Sequence, residues 1–447
     1  MRGIIVALSL TLGACASAPL QPIDPAPLAA NPAPAINVGA DGEALIVTLS
    51  GGGARAAAFG LGVLQSLREA HAADGRPLSD HIVLLSSVSG GSILAGYYGV
   101  HGAAGLDAFR ADYLDKNWTS ALHTSPAWPV NWWRAWNGGL NGDARLAAWL
   151  DHEIFRGAHM DALWRAGAPQ VWINATDLHN GTAFAFAPLY FDALCADLSQ
   201  VRLADAVAAS MAVPIVFKPI LVAPQRQSCA PLPQWASAAQ TAWPALERAA
   251  ARALNSYRDP ATLGYVHLVD GGVIDNLGLS NLALMRETAA NPYAPFSPQA
   301  AVRLHRLAVL VVNSEPVRRE TYQLRPNAPS GPQMANTLYG VVIEAANRDV
   351  YDSFRAVAAL WQRELVAYRC GLGRSEVSAI VGPGPWNCAD LAISVEMISF
   401  RDLDAPTAAR VDNLPTRVSL PRSDIDALIE AGREAARAAP LVQSLQR

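Results

Sequence analysis

Three short stretches of the chain carry residue types that could do acyl-transfer chemistry. The first is Ser87-Val88-Ser89-Gly90-Gly91-Ser92. A serine nucleophile on a sharp strand-to-helix turn needs small residues two before and two after it, so that the chain can bend without a clash. Ser89 meets this with Ser87 and Gly91. Ser92 fails on Leu94, and Ser87 fails on Leu85. The second is Ser50-Gly51-Gly52-Gly53-Ala54-Arg55. Consecutive glycines let backbone N–H groups converge on one point, and a helix beginning there adds positive potential. Such a loop suits a phosphate or an oxyanion. No Lys-Ser/Thr pair follows it, so it is not a P-loop; Ala56 stands at the last position of a dinucleotide fingerprint, and no acidic residue ends a second strand near position 75. The third is Val269-Asp270-Gly271-Gly272. A carboxylate ending a strand, followed by glycines, points into the crevice where α/β sheets bind ligands. There it can act as general base toward a serine hydroxyl.

A Ser, Asp/Glu, His order along the chain would complete a hydrolase triad. After Asp270 the only histidine is His305, just before a strand rather than in a loop beyond one. His267 lies three residues before Asp270 in the same strand, so alternation turns it to the opposite face. A Ser89–Asp270 dyad fits better than a triad. With an aspartate as base, the loss of activity near pH ~6.5 that a titrating histidine brings is not expected.

Strands and helices alternate around these motifs. Apolar β runs are read at 44–49, 82–85, 171–175, 265–269, 307–312 and 391–398. Helical periodicity is read at 54–70, 90–100 and about 333–369, and a last helix near 424–438 is capped by Ser423. This alternation predicts an α/β fold with a mostly parallel central sheet flanked by helices. No second linker or repeat is visible, so residues 39–447 read as one catalytic domain with insertions.

Gly-Gly-Gly-x-Arg, then Ser-x-Ser-Gly-Gly-Ser, then Asp-Gly-Gly, in that order, resembles the patatin-like phospholipase family. The middle motif resembles the branch shared with the cytosolic phospholipases. Ile173-Asn174-Ala175-Thr176-Asp177 and Ala208-Ala209-Ser210-Met211-Ala212-Val213-Pro214 agree with it. The resemblance implies a three-layer fold and hydrolysis of a phospholipid or lysophospholipid ester. Ser89 would be the nucleophile and Asp270 the base. The amides of Gly51, Gly52 and Gly53 would hold the oxyanion, and Arg55 would steady that loop or meet a lipid phosphate. No metal or other cofactor is expected. A general carboxylesterase or acyltransferase using the same dyad, and a non-catalytic envelope lipoprotein on a degenerate hydrolase fold, are the alternatives.

The N-terminus reads as an address. Met1-Arg2 is basic, Ile4–Ala14 is apolar but too short to span a bilayer, and Leu12-Gly13-Ala14-Cys15 resembles a bacterial lipobox. Residues 1–14 are read as a signal peptide, Cys15 as the lipidated residue, and 15–38 as a Pro/Ala-rich tether outside the fold. No Asp follows Cys15, which by resemblance favours the outer membrane. The other cysteines form two local pairs, Cys195 with Cys229 and Cys370 with Cys388. This is one of three connectivities that an exported compartment permits.

With Lys+Arg 34 against Asp+Glu 38, the chain carries no basic field for nucleic acid, and at 51% hydrophobic it is not disordered. Eight of its twelve tryptophans fall between 118 and 172. The Pro/Gly/Trp-rich stretch 126–140 reads as a loop that either touches lipid or packs over the core.

Overall fold

The computed structural model describes residues 38–118, 145–165, 167–214, 216–227, 229–237, 244–316 and 330–446, with Asn31, Ile36 and Pro326 besides. The signal segment, Cys15, and Trp128, Trp132, Trp133 and Trp136 lie outside these residues. One sheet holds eight strands: β1 Glu43–Leu49, β2 Ile82–Val88, β3 Gln170–Asp177, β4 Thr182–Ala185, β5 Ile220–Val222, β6 Val266–Asp270, β7 Arg306–Asn313 and β8 Ala392–Ser399. Their order is β5-β6-β3-β2-β1-β7-β8, with β4 paired to β3. The run from β3 to β8 is parallel. β4, β5 and β6 join by antiparallel pairing. β4 and β5, four and three residues long, are too short to leave a periodic signal in the sequence.

The strongest strands read as unbroken apolar runs because both faces are covered. Along β7, Ala308, Leu310 and Val312 enter one core, and Leu307, Val309 and Val311 enter the other. β1 divides in the same way, with Leu45, Val47 and Leu49 on one side and Ala44 and Ile46 on the other. The first core is closed by α1 (Ala54–Glu69), α2 (Gly90–His101), α3 (Leu203–Ser210) and a late helix, α5 (Arg422–Ala438). The second is closed by α4 (Gly331–Gly371), a helix of 41 residues that buries Phe354, Trp361 and Leu365. The result is three layers: helices, sheet, helices.

α1 and α5 meet backbone to backbone. A Cβ at Gly62 would lie 2.0 Å from the Ile429 carbonyl oxygen, and one at Gly432 would lie 2.1 Å from that of Phe59. Two helices can come this close only where neither carries a side chain.

Two expectations are corrected, and the described tryptophans follow one of the two readings given for them. Ser423 lies inside α5, which begins at Arg422 after Pro421 and has no side-chain cap; a proline just outside the helix serves as the stop instead. The tether does not stay off the body as far as residue 38. Ile36 and Val38 are buried, and Asn31 accepts from the Leu198 amide and donates to the Ala196 carbonyl oxygen. The described tryptophans of the cluster serve packing. Trp118 is buried against Tyr113 and donates its indole N–H to the Tyr113 carbonyl oxygen, while Trp149, Trp164 and Trp172 are partly buried against the two cores.

Disulfides join Cys195 to Cys229 and Cys370 to Cys388, with Cα separations of 4.7 and 4.9 Å. Among the described residues no helix is long and apolar enough to cross a membrane.

Candidate active site

Ser89 sits between the end of β2 and the start of α2 with φ 51° and ψ −121°. This conformation is unfavourable for a residue with a Cβ, and its neighbours make it possible. A Cβ on Gly90 would lie 2.0 Å from the Gly53 carbonyl oxygen, and one on Gly91 would lie 2.6 Å from that of Leu49. The two glycines therefore let the Ser89 turn press directly on the end of β1 and the glycine loop.

The Ser89 hydroxyl donates to Asp270 Oδ2 at 2.7 Å, and both residues are buried. Asp270 is the last residue of β6. Pairing with β3 sets it level with Ala175, while β2 pairs Val88 with Asn174. Strand register thus brings together two residues that are 181 positions apart. The other carboxylate oxygen of Asp270 accepts the Gly272 amide at 2.8 Å. Burial pushes this carboxyl up from its ordinary 3.8 to about 6, against the opposing pull of the Ser89 and Gly272 hydrogen bonds. A base near that value is ionised at neutral pH and can still take a proton readily. Were Asp270 the base, activity would fall as pH drops through about 6, close to where a histidine base would lose it.

The turn is held from behind by residues in the two accessory stretches. Ser210, at the end of α3, accepts the Ser89 amide at 2.8 Å and donates to the Asn174 carbonyl oxygen at 2.6 Å. Asn174 in turn donates to Ser86 Oγ and to the Ser87 carbonyl oxygen. Ser87, the small residue two before Ser89, donates to the Trp172 carbonyl oxygen.

The three loop glycines are not equivalent. The Gly51 amide donates to Asn276, to the side-chain oxygen at 3.1 Å and to the carbonyl oxygen at 3.3 Å. That withdraws Gly51 from the free donors expected at an oxyanion. Gly52 (φ 143°) and Gly53 (φ 61°) take up conformations that favour glycine, and among the described residues their amides have no acceptor. Arg55 faces inward. Its guanidinium donates to the carbonyl oxygens of Ser314 and Leu414, both at 2.9 Å, and burial lowers its pKa to about 10. Of its two expected roles this geometry supports the steadying of the loop, tied to the end of β7.

Sequence reasoning missed Asn276, Asp275 and Ser314. Asp275 accepts the amides of Leu277, Gly278 and Ser280, which folds the segment after Asp270 back over the glycine loop. Ser314 bonds Ser50 Oγ and the Gly51 carbonyl oxygen. The polar pair five and six residues after Asp270 was the signal available in the sequence. Ser314 offered none.

Neither histidine considered for a triad approaches the dyad. His267 is exposed and meets the Tyr265 carbonyl oxygen, and His305 pairs with Asp390. The one group of possible metal ligands among the described residues is Asp41, Asp74 and His81, at the opposite end of the sheet from Ser89. Arg76 already supplies a cation to both carboxylates, at 3.0 and 2.6 Å.

A flanked, mostly parallel sheet with a serine on a strained strand-to-helix turn defines the class: an α/β protein built like the serine hydrolases. The family follows from comparison. The model of the patatin-like phospholipases matches residues 47–283, just over half of the chain, and the chain belongs to that family of lipid acyl hydrolases. Among solved structures, VipD from Legionella pneumophila matches at 12% identity with a TM-score of 0.36, covering 90% of this chain and 67% of its own. No curated protein matches.

Proposed function

We propose that the protein hydrolyses acyl esters of phospholipids or lysophospholipids through a Ser89–Asp270 dyad. The observation that carries this reading is the 2.7 Å hydrogen bond from a conformationally strained Ser89 to a buried carboxylate. Ser89 Oγ attacks the ester carbonyl carbon as its proton passes to Asp270 Oδ2. The oxyanion that forms accepts the Gly52 and Gly53 amides. Collapse expels the alcohol, which takes the proton from Asp270, and leaves the acyl group on Ser89. Water then attacks the acyl-enzyme and gives its proton to Asp270; collapse frees the fatty acid and the proton returns to Ser89.

Purified protein incubated with defined phospholipids should release fatty acid and lysolipid identifiable by mass. Ser89→Ala and Asp270→Asn should each abolish the release. Hydrolysis that survives Ser89→Ala removes the reading, and turnover of short aryl esters without any phospholipid product favours the carboxylesterase alternative.

An N-terminal anchor completes the reading. The basic start, the apolar run and Leu12-Gly13-Ala14-Cys15 support export, lipidation of Cys15 and retention at the bacterial outer membrane. Metabolic labelling with a fatty acid should mark the protein and be lost in Cys15→Ser; label retained by that variant excludes the anchor.

A further inference from the structure

The solvent-facing stripe of α4 changes character along its length. From Arg348 onward it carries Arg348, Asp349, Asp352 and Arg355, all exposed, with Leu360 as its one large exposed apolar residue. At about 100° per residue, the same stripe in the first turns is occupied by Met334, Leu338, Val341 and Val342. These are 41%, 55%, 49% and 60% exposed. Residues 331–343 contain no Asp, Glu, Lys or Arg, while Gly340 and Asn347 on the other side are buried. The end of the helix thus turns these four apolar residues outward, the reverse of an ordinary surface helix. Charge resumes at Glu344, which pairs with Arg348 at 3.3 Å and Arg401 at 3.2 Å; those arginines remain 64% and 65% exposed.

The position of this end matters as much as its composition. Asn347 donates to Glu315, just past the end of β7, and Arg369 donates to the Leu304 carbonyl oxygen, just before β7 begins. Residues 347–369 therefore span the sheet. Residues 331–346, about 24 Å of helix at ~1.5 Å per residue, run on past the C-terminal edge of the parallel strands. That edge also carries the glycine loop and Ser89.

We propose that the charge-free end of α4 docks on a phospholipid surface. Met334, Leu338, Val341 and Val342 enter the acyl region, and Arg348 and Arg401 lie at the level of the phosphates. An apolar end bordered by a belt of mixed charge, in which Arg348 and Arg401 share Glu344 and stay exposed, complements a lipid interface, and its edge of the sheet turns the Ser89 crevice toward the bilayer that holds the ester. This inference rests on the reading of the protein as a lipid acyl hydrolase.

The test uses the full chain with Cys15→Ser, so that no acyl anchor contributes, and vesicles of phosphatidylcholine and phosphatidylglycerol. An environment-sensitive fluorophore on Val342→Cys should shift to the blue when vesicles are added, and one on Asp352→Cys should not. In the same background, Leu338→Asp with Val342→Asp should lower hydrolysis of vesicle phospholipid about tenfold or more, with hydrolysis of a soluble short-chain ester held within about twofold. Both positions are exposed, so the fold tolerates the change. A Val342 label indifferent to vesicles overturns the proposal. So does a blue shift that appears without vesicles and grows with protein concentration, which would make a second copy the occupant. The label reports docking without catalysis, so it is read equally well on a Ser89→Ala chain. Failure of the hydrolase reading is therefore distinguishable from failure of this one.

Discussion

Asp270 is where stability and chemistry conflict. Its carboxyl is raised to about 6 by burial, so the folded protein holds this proton more tightly than the unfolded chain does. Between about pH 4 and 6 the native state binds more protons at this group, and its stability contribution falls as pH rises through that window. Above it the charge is fully buried, at a cost of roughly 3 kcal/mol at most. In the proposed mechanism activity runs the other way, because Asp270 must be ionised to act as base. Hydrolysis of a soluble ester should therefore fall as pH drops through about 6, measured as kcat/KM against pH. A profile flat down to pH 4.5 would show that the base titrates in the ordinary carboxylate range. Asp270→Asn should abolish turnover and raise the melting temperature at pH 8, since the side chain keeps an oxygen for the Gly272 amide and loses the buried charge. A lower melting temperature would contradict the burial argument.

At the scale of elements, the close crossing of α1 and α5 depends on two missing side chains. Gly432→Val places atoms where the Phe59 carbonyl oxygen stands and should destabilise by several kcal/mol, read as a fall in the denaturation midpoint. Because α1 begins at the glycine loop, activity should fall before the fold is lost; an unchanged midpoint would mean that the two helices separate without penalty. The Cys370–Cys388 bridge closes a loop of 18 residues between the end of α4 and the segment leading into β8. Its removal by paired alanines should cost about 3 kcal/mol and lower the melting temperature by a few degrees. A melting curve that does not move would mean the bridge only decorates an already fixed corner.

The whole molecule extends well past the part that the family model matches. β1 is flanked by β7, the first core is closed by α5, and the glycine loop is pinned by Ser314, Leu414 and Arg417. All of these follow residue 283. A chain cut to 47–283 should expose an edge of β1 and an uncovered apolar face, and should yield aggregated protein without esterase activity. Soluble, active protein of that length would mean that the later elements are dispensable.

Much of this was legible along the chain, and the limits of legibility have physical causes. Ser89, Asp270 and the glycine loop are local signals. Steric demands at a sharp turn and at a strand end act over a few residues, so the residue types announce them. The six longer strands and the main helices are equally local, because burial on both faces leaves an apolar run and burial of one helix face leaves a period in the sequence. What the sequence determined by itself was therefore the chemistry available and the class of fold able to position it. Only the tertiary structure decided how those parts are used. Register between β3 and β6 brings Asp270 to Ser89, Asn276 takes up the Gly51 amide, Arg55 turns inward, and a desolvated carboxyl moves to about 6. Each of these depends on groups far apart in the chain, and neither spacing nor residue type records the hydrogen bonds and the loss of water that packing imposes on them.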